Sequence, residues 1–295
     1  MTDPTLNFVS CPDAAGAHRM AYWQWGDADA AHTIVCVHGL TRQGRDFDVL
    51  AQALLARATS PLRVVCPDVV GRGMSDWLQD PQAYGFPSYS ADMLALLAQL
   101  KPQTLDWVGT SMGGLIGMAV CAHAKALGAE VRRLVLNDVG PVLEWQSLLR
   151  IGAYLGKQMH FDSEQQAADA LWSIASSFGP HTPAQWLELS RHMLKPDPQG
   201  GVRLHYDPAI ALPFQGVTQE QTVQGEAALW GLYDAITAQT LLLRGAESDL
   251  LSEPTAQQMT QRGPRARLVE FAGVGHAPTL VADDQIAVVA SFLLA

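Results

Sequence analysis

A serine with glycines two residues to either side stands in Gly109-Thr110-Ser111-Met112-Gly113-Gly114. These residue types suit a nucleophile elbow, a sharp strand-to-helix turn that lifts a hydroxyl clear of the backbone. A serine at its ordinary pKa is a weak nucleophile, so it needs a base within hydrogen-bond reach, and the base needs a carboxylate to orient it. Among nine histidines, His276 is the candidate base, because Gly273-Val274-Gly275-His276 follows the apolar run Leu268 to Phe271 and puts an imidazole on a loop at a strand's end. The expected acid is Asp249, in the loop that follows Thr240 to Arg244; Glu247, and Asp138 after Leu134 to Asn137, are rivals. Acyl transfer also creates an oxyanion that backbone N–H groups must hold. One would come from Met112, after the nucleophile. A second would come from Leu40 in His38-Gly39-Leu40, where Gly39 allows a close approach and His38 is expected to brace the loop rather than act as base.

The elements that must position these groups are legible as short apolar runs. Strands are expected at Met20 to Trp25, Thr33 to Val37, Arg63 to Pro67, Thr104 to Val108, Arg133 to Asn137, Thr240 to Arg244 and Arg267 to Phe271. Most lack polar alternation, as strands covered on both faces do. Helical patterns fall between them, at Phe47 to Arg57, Ser90 to Leu100, Met112 to Leu127 and Asp283 to Leu294. The alternation implies an α/β class with a mostly parallel sheet and helices on both faces. It breaks between Pro141 and about Ala238, where the helical patterns Ser163 to Ser177 and Pro183 to Leu194 follow one another without a convincing strand. The expected organisation is a core formed by residues 1–140 and 239–295 with a helical cap inserted over 141–238. That insertion carries ten of the chain's 22 aromatic residues, among them Tyr154, Phe178, Trp186 and Tyr206, the apolar bulk that a cover over a site would need. For any one of these rings, packing the insertion's own core is the more ordinary role.

Composition narrows the function classes. The 295 residues are 48% hydrophobic and 16% charged, with a formal net charge of −10, which opposes binding to nucleic acid or to anionic lipid. Met1-Thr2-Asp3-Pro4-Thr5 has neither a basic n-region nor an apolar h-region, so a cytoplasmic location is expected. The longest apolar run, Met112 to Val120, is too short to span a bilayer. Four cysteines, Cys11, Cys36, Cys66 and Cys121, form no CxxC pair; Cys36 and Cys66 lie in strand-like runs and are read as core residues, and no metal site is expected.

The order Ser111, Asp249, His276, with the elbow, the His38-Gly39 loop and Asp68-Val69-Val70-Gly71-Arg72-Gly73-Met74-Ser75, resembles the α/β-hydrolase superfamily, in particular its capped bacterial branch, over nearly the whole chain. The Asp68 to Ser75 turn also imitates a dinucleotide fingerprint, but Asp76 stands where the third glycine belongs, and the turn is read as structural. The resemblance implies cofactor-free chemistry through Ser111, His276 and Asp249 with the Leu40 and Met112 amides, on a small-molecule substrate. It implies a serine hydrolase acting on a carboxylic ester or lactone of a small, largely apolar substrate. Hydrolysis of a carbon–carbon bond in a ring-cleavage product is the alternative, weakened by Thr110 where such relatives often carry Asn. A non-catalytic binding protein of the same fold is the third reading. Oligomeric state is not legible.

Overall fold

Alternation of side chains along a few apolar strands builds two cores, one on each side of the main sheet. The structure is a computed structural model and describes residues 3–123 and 130–295. In chain order its elements are β1 (Thr5–Asp13), β2 (Gly16–Gly26), β3 (His32–Val37), α1 (Asp48–Arg57), β4 (Leu62–Pro67), α2 (Phe86–Leu100), β5 (Thr104–Thr110), α3 (Met112–His123) and β6 (Val131–Asn137). Then come α4 (Trp145–Tyr154), β7 (His160–Phe161), α5 (Glu164–Ala175), α6 (Pro183–Arg191), β8 (Leu194–Pro196), β9 (Val202–Leu204), α7 (Ala211–Gln215) and α8 (Gln219–Asp234). The chain closes with β10 (Gln239–Gly245), α9 (Glu253–Met259), β11 (Arg267–Phe271) and α10 (Asp283–Leu293). The part of the expected Met112 to Leu127 helix beyond residue 123 lies outside the described residues, as do Met1 and Thr2.

The main sheet has eight strands in the order β1-β2-β4-β3-β5-β6-β10-β11; β1, β2 and β4 pair antiparallel and every other neighbour is parallel. In β3, Ile34 and Cys36 join one core while Val35 and Val37 join the other, the two-residue period of a strand buried on both faces. Leu50 and Leu54 of α1 and Ile286, Val289 and Leu293 of α10 fill the first core; Met93 and Leu96 of α2 and Ile116 and Val120 of α3 fill the second. Trp107 of β5 is fully buried and its indole N–H donates to the Gly113 carbonyl at 3.1 Å, which ties the start of α3 to the strand before it.

Three features depart from the sequence reading. The segment between β6 and β10 contains a small three-stranded sheet, in the order β7-β9-β8, besides its helices. Its strands are two or three residues long, too short for any period to show. In addition, α8 packs on α3, and Tyr233 near its end is fully buried, donating its hydroxyl to the Met259 carbonyl at 2.5 Å. The helix that precedes β10 thus lies against the sheet's own layer. The hairpin partner β1 also escaped notice, because half its residues face solvent at the sheet's edge. Among the described residues no helix is long and apolar enough to cross a membrane.

Candidate active site

Ser111 sits between β5 and α3 with φ +51°, the left-handed conformation that a sharp elbow requires. Its amide donates to the Asn137 carbonyl at 2.9 Å, which fixes the turn to the end of β6. The flanking glycines answer to close approach: a Cβ on Gly113 would lie 2.0 Å from the Val37 carbonyl oxygen, and one on Gly109 would lie 2.3 Å from the Gly113 oxygen. Any side chain at either position would push α3 off the strand ends and move the serine.

His276, on the loop after β11, is almost fully buried and bridges two groups: its Nε2 is 2.9 Å from Ser111 Oγ and its Nδ1 is 2.7 Å from Asp138 Oδ2. An Nδ1–H donated to this carboxylate would leave the Nε2 lone pair facing the Ser111 hydroxyl. The carboxylate against His276 is therefore that of Asp138, and the expectation for Asp249 is corrected. Asp138 follows β6, has φ +58° and is wholly buried. Its Oδ1 accepts the Gly245 amide at 2.8 Å, and its Oδ2 accepts the Ser248 hydroxyl at 2.6 Å as well as the imidazole. Asp249, one residue beyond Ser248, turns outward and pairs with Arg150 through Nε at 2.7 Å and Nη2 at 2.9 Å. Burial alone would raise the Asp249 pKa, but the bonds and charge of Arg150 outweigh it and hold the carboxyl below its usual range. Glu247 is exposed.

The His38 loop stands beside the serine, with a hypothetical Cβ on Gly39 only 3.7 Å from Ser111 Cβ. His38 is buried; its Nδ1 donates to the Gly39 carbonyl at 2.7 Å and its Nε2 accepts the Val69 amide at 2.9 Å. Desolvation pushes its pKa down to about 3, so it is neutral and holds the loop instead of moving protons. Arg72, fully buried in the Asp68 to Ser75 turn, donates Nε–H to the Leu40 carbonyl at 2.9 Å and holds the same loop from the other side. The turn thus fixes the segment that carries Leu40. Met112 is the first residue of α3, next to the serine.

Sequence reasoning passed over Asn137 and Ser248. Asn137 donates from Nδ2 to Thr110 Oγ1 at 3.0 Å and to the Pro278 carbonyl at 2.8 Å, which couples the elbow to the histidine loop. The available signal was the polar pair Asn137-Asp138 closing an otherwise apolar strand.

A pocket opens over Ser111 and encloses about 1170 Å³ of space, its mouth included. Its floor is formed by Gly39, Leu40, Ser111 and His276, and its walls by Ile151 and Tyr154 of α4, Leu171 and Ile174 of α5, Trp186 and Leu189 of α6, and Phe178 and Tyr206. Of the ten aromatic residues between 141 and 238, Tyr154, Phe178, Trp186 and Tyr206 reach this space, whereas Trp172 packs edge-on against Trp186 and Tyr233 serves the core. Contacts that join the walls to the floor include Arg42 Nη2–H to the Leu189 carbonyl at 3.2 Å, His181 to Thr279 Oγ1 at 2.8 Å, and the Gly275 amide to the Ser177 carbonyl at 2.5 Å. A carbonyl placed in this pocket would meet the Ser111 hydroxyl, hydrogen-bonded to the His276 imidazole, between largely apolar walls.

Comparison with known proteins agrees with this architecture. The profile of the Alpha/beta hydrolase family matches residues 34–291. A 3-hydroxybutyrate-oligomer hydrolase from Cupriavidus necator is 49% identical over 293 residues, covering 98% of this chain and 97% of that protein. The crystal structure of an alpha/beta hydrolase from Novosphingobium aromaticivorans superposes with a TM-score of 0.85 at 34% identity, over 99% of each chain. A 2-hydroxy-6-oxo-2,4-heptadienoate hydrolase from Pseudomonas putida is 32% identical over 114 residues, 37% of this chain and 38% of that protein.

Proposed function

Because the chain belongs to the alpha/beta hydrolase family and is a hydrolase of that fold, we propose that it cleaves carboxylic esters of small hydroxy acids, with Ser111 as nucleophile, His276 as base and Asp138 as the acid that orients it. The observation that carries this is the relay Asp138–His276–Ser111, at 2.7 and 2.9 Å, beneath an apolar pocket. His276 Nε2 takes the Ser111 proton as Oγ adds to the ester carbonyl. The oxyanion points to the amides of Leu40 and Met112, the latter at the positive end of α3. His276 then returns the proton to the departing alcohol; in the second half it takes a proton from water as that oxygen adds to the acyl carbonyl, and gives it to Ser111 Oγ as the acyl–oxygen bond breaks and the acid leaves.

Within residues 141–238, α4 to α6 supply the cover over Ser111, while α8 stays with the core. The substrate class rests on the apolar lining and on the 49% identity to a hydrolase named for 3-hydroxybutyrate oligomers. The carbon–carbon reading has less support, since the matching dienoate hydrolase covers 37% of the chain. A panel of nitrophenyl esters, lactones, 3-hydroxybutyrate dimer and a ring-cleavage dienoate tests the proposal, with Ser111→Ala as blank. Turnover of the esters that falls about 10⁴- to 10⁶-fold in Ser111→Ala is expected, together with stoichiometric labelling of Ser111 by a fluorophosphonate. Ester turnover unchanged in folded Ser111→Ala refutes the nucleophile, and activity on the dienoate alone refutes the substrate class.

A further inference from the structure

Beyond the catalytic pocket lies a second recess, lined by Trp77, Lys157, His160, Lys195, Asp197 and Arg203. Met159, Leu204 and Tyr206 line both spaces, so the two are neighbours across one wall. Its charge is out of keeping with the rest of the chain. The sequence has a net charge of −10 and contains four lysines, Lys101, Lys125, Lys157 and Lys195, and two of them line this recess.

The register of the small sheet explains the concentration. Lys195 of β8 lies directly opposite Arg203 of β9, and Arg203 lies directly opposite His160 of β7, so three basic side chains form a row across one face. Like charges directly opposite each other in an antiparallel pair oppose folding. Compensation is partial: Asp197, the one carboxylate in the lining, lies 4.0 Å from Arg203 Nε and 3.5 Å from His160 Nδ1, Asp162 lies 3.9 Å from His160 Nε2, and Asp207 acts on Lys195 only through its charge. Among the described residues no ion pair joins Lys157 or Lys195 to a carboxylate, and Arg203 Nε is buried without a hydrogen-bond partner. Lys195 Nζ instead lies 4.5 Å above the Trp77 ring. The excess charge is felt nearby: desolvation first, then the charges of Lys195 and Arg203, push His205 down to about 4. Such a row is what a bound anion would neutralise.

We propose that this recess is an anion subsite that takes the free carboxylate of an acid-terminated ester, the remainder of which runs past Met159, Leu204 and Tyr206 to Ser111. The proposal rests on the reading that Ser111 cleaves esters. Met159, unbranched and flexible, is the member of the wall most easily displaced. An oligomer of a hydroxy acid has the required chemistry, with one carboxylate at its end and uncharged ester links behind it. The subsite therefore selects acid-ended chains over capped ones.

The test compares the free acid of a 3-hydroxybutyrate trimer with its methyl ester in the wild type, Lys195→Gln, Arg203→Gln and the double variant. The wild type should favour the acid in kcat/KM by about 10-fold or more. The double variant should bring that ratio close to one, chiefly through a higher KM for the acid, and Arg203→Lys should retain most of it. A wild-type ratio near one, or a ratio that the double substitution leaves intact, overturns the proposal. Should the variants not fold, the wild-type preference and its loss between 50 mM and 0.5 M salt decide the matter. Binding of the acid trimer to Ser111→Ala, read by calorimetry, separates this inference from the ester reading. Affinity about 10-fold weaker after the double substitution upholds the subsite even without turnover, and unaltered affinity overturns it.

Discussion

Replacing Asp138 by asparagine should cost far more activity than the same change at Asp249, although the two residues lie on neighbouring strand-end loops. The Gly245 amide donates to Asp138 Oδ1, so an asparagine at 138 must keep its carbonyl oxygen there. Its NH₂ then faces Ser248 and His276, where Oδ2 had accepted two bonds. A donor at that point forces His276 Nδ1 to accept, and the ring proton moves to Nε2, facing Ser111. That tautomer has no lone pair for the serine proton, and a loss of about 10³- to 10⁴-fold in kcat follows. Asp249→Asn breaks only a half-exposed pair with Arg150, worth about 1 kcal/mol or less. Its activity should stay within a few-fold of wild type. Initial rates on nitrophenyl butyrate, with melting curves to confirm folding, provide the measurement. Loss at Asp249→Asn equal to that at Asp138→Asn, or Asp138→Asn within 10-fold of wild type, would refute the assignment.

Two further outcomes follow from the loops around the site. His38→Ala leaves the Val69 amide without its acceptor in a buried position, which should lower stability by about 1–3 kcal/mol and reduce turnover as the Leu40 loop loosens, read by chemical denaturation and by rates on the same ester. Asp68 is fully buried, and desolvation raises its pKa to about 6 despite donors from Met74, Gly44 and Trp23. Because this value lies above the ordinary one for an aspartate, the folded chain holds more protons than the unfolded chain between about pH 4 and 6. The stability contributed by Asp68 is thus present at low pH and lost as pH rises through about 6, by a total of about 3 kcal/mol. Urea unfolding of wild type against Asp68→Asn at pH 4.5 and 7.5 should show the wild type's relative stability falling; an equal difference at both pH values would contradict it.

The strands of the main sheet other than β1 were legible because burial on both faces demands continuous apolar runs, as in Thr33 to Val37 and Thr240 to Arg244. The elbow was equally legible, since Gly109 and Gly113 touch backbone so closely that no other residue fits. The bracing role expected of His38 likewise agrees with its two buried bonds to the loops it joins. The strands β7 to β9 were not legible, being too short to carry a period, and with them was hidden the register that sets Lys195 against Arg203.

By itself, then, the sequence determined an α/β chain that presents a serine and a histidine from particular strand ends, because those features depend on local spacing and on contacts within a few residues. Which carboxylate completes the relay was decided only by the tertiary structure. The loops after β6 and β10 begin on adjacent parallel strands, so a carboxylate from either lies near the histidine loop. The positive φ of Asp138, the amide of Gly245, the hydroxyl of Ser248 and the pull of Arg150 on Asp249 settle the choice, and these act between residues about a hundred positions apart.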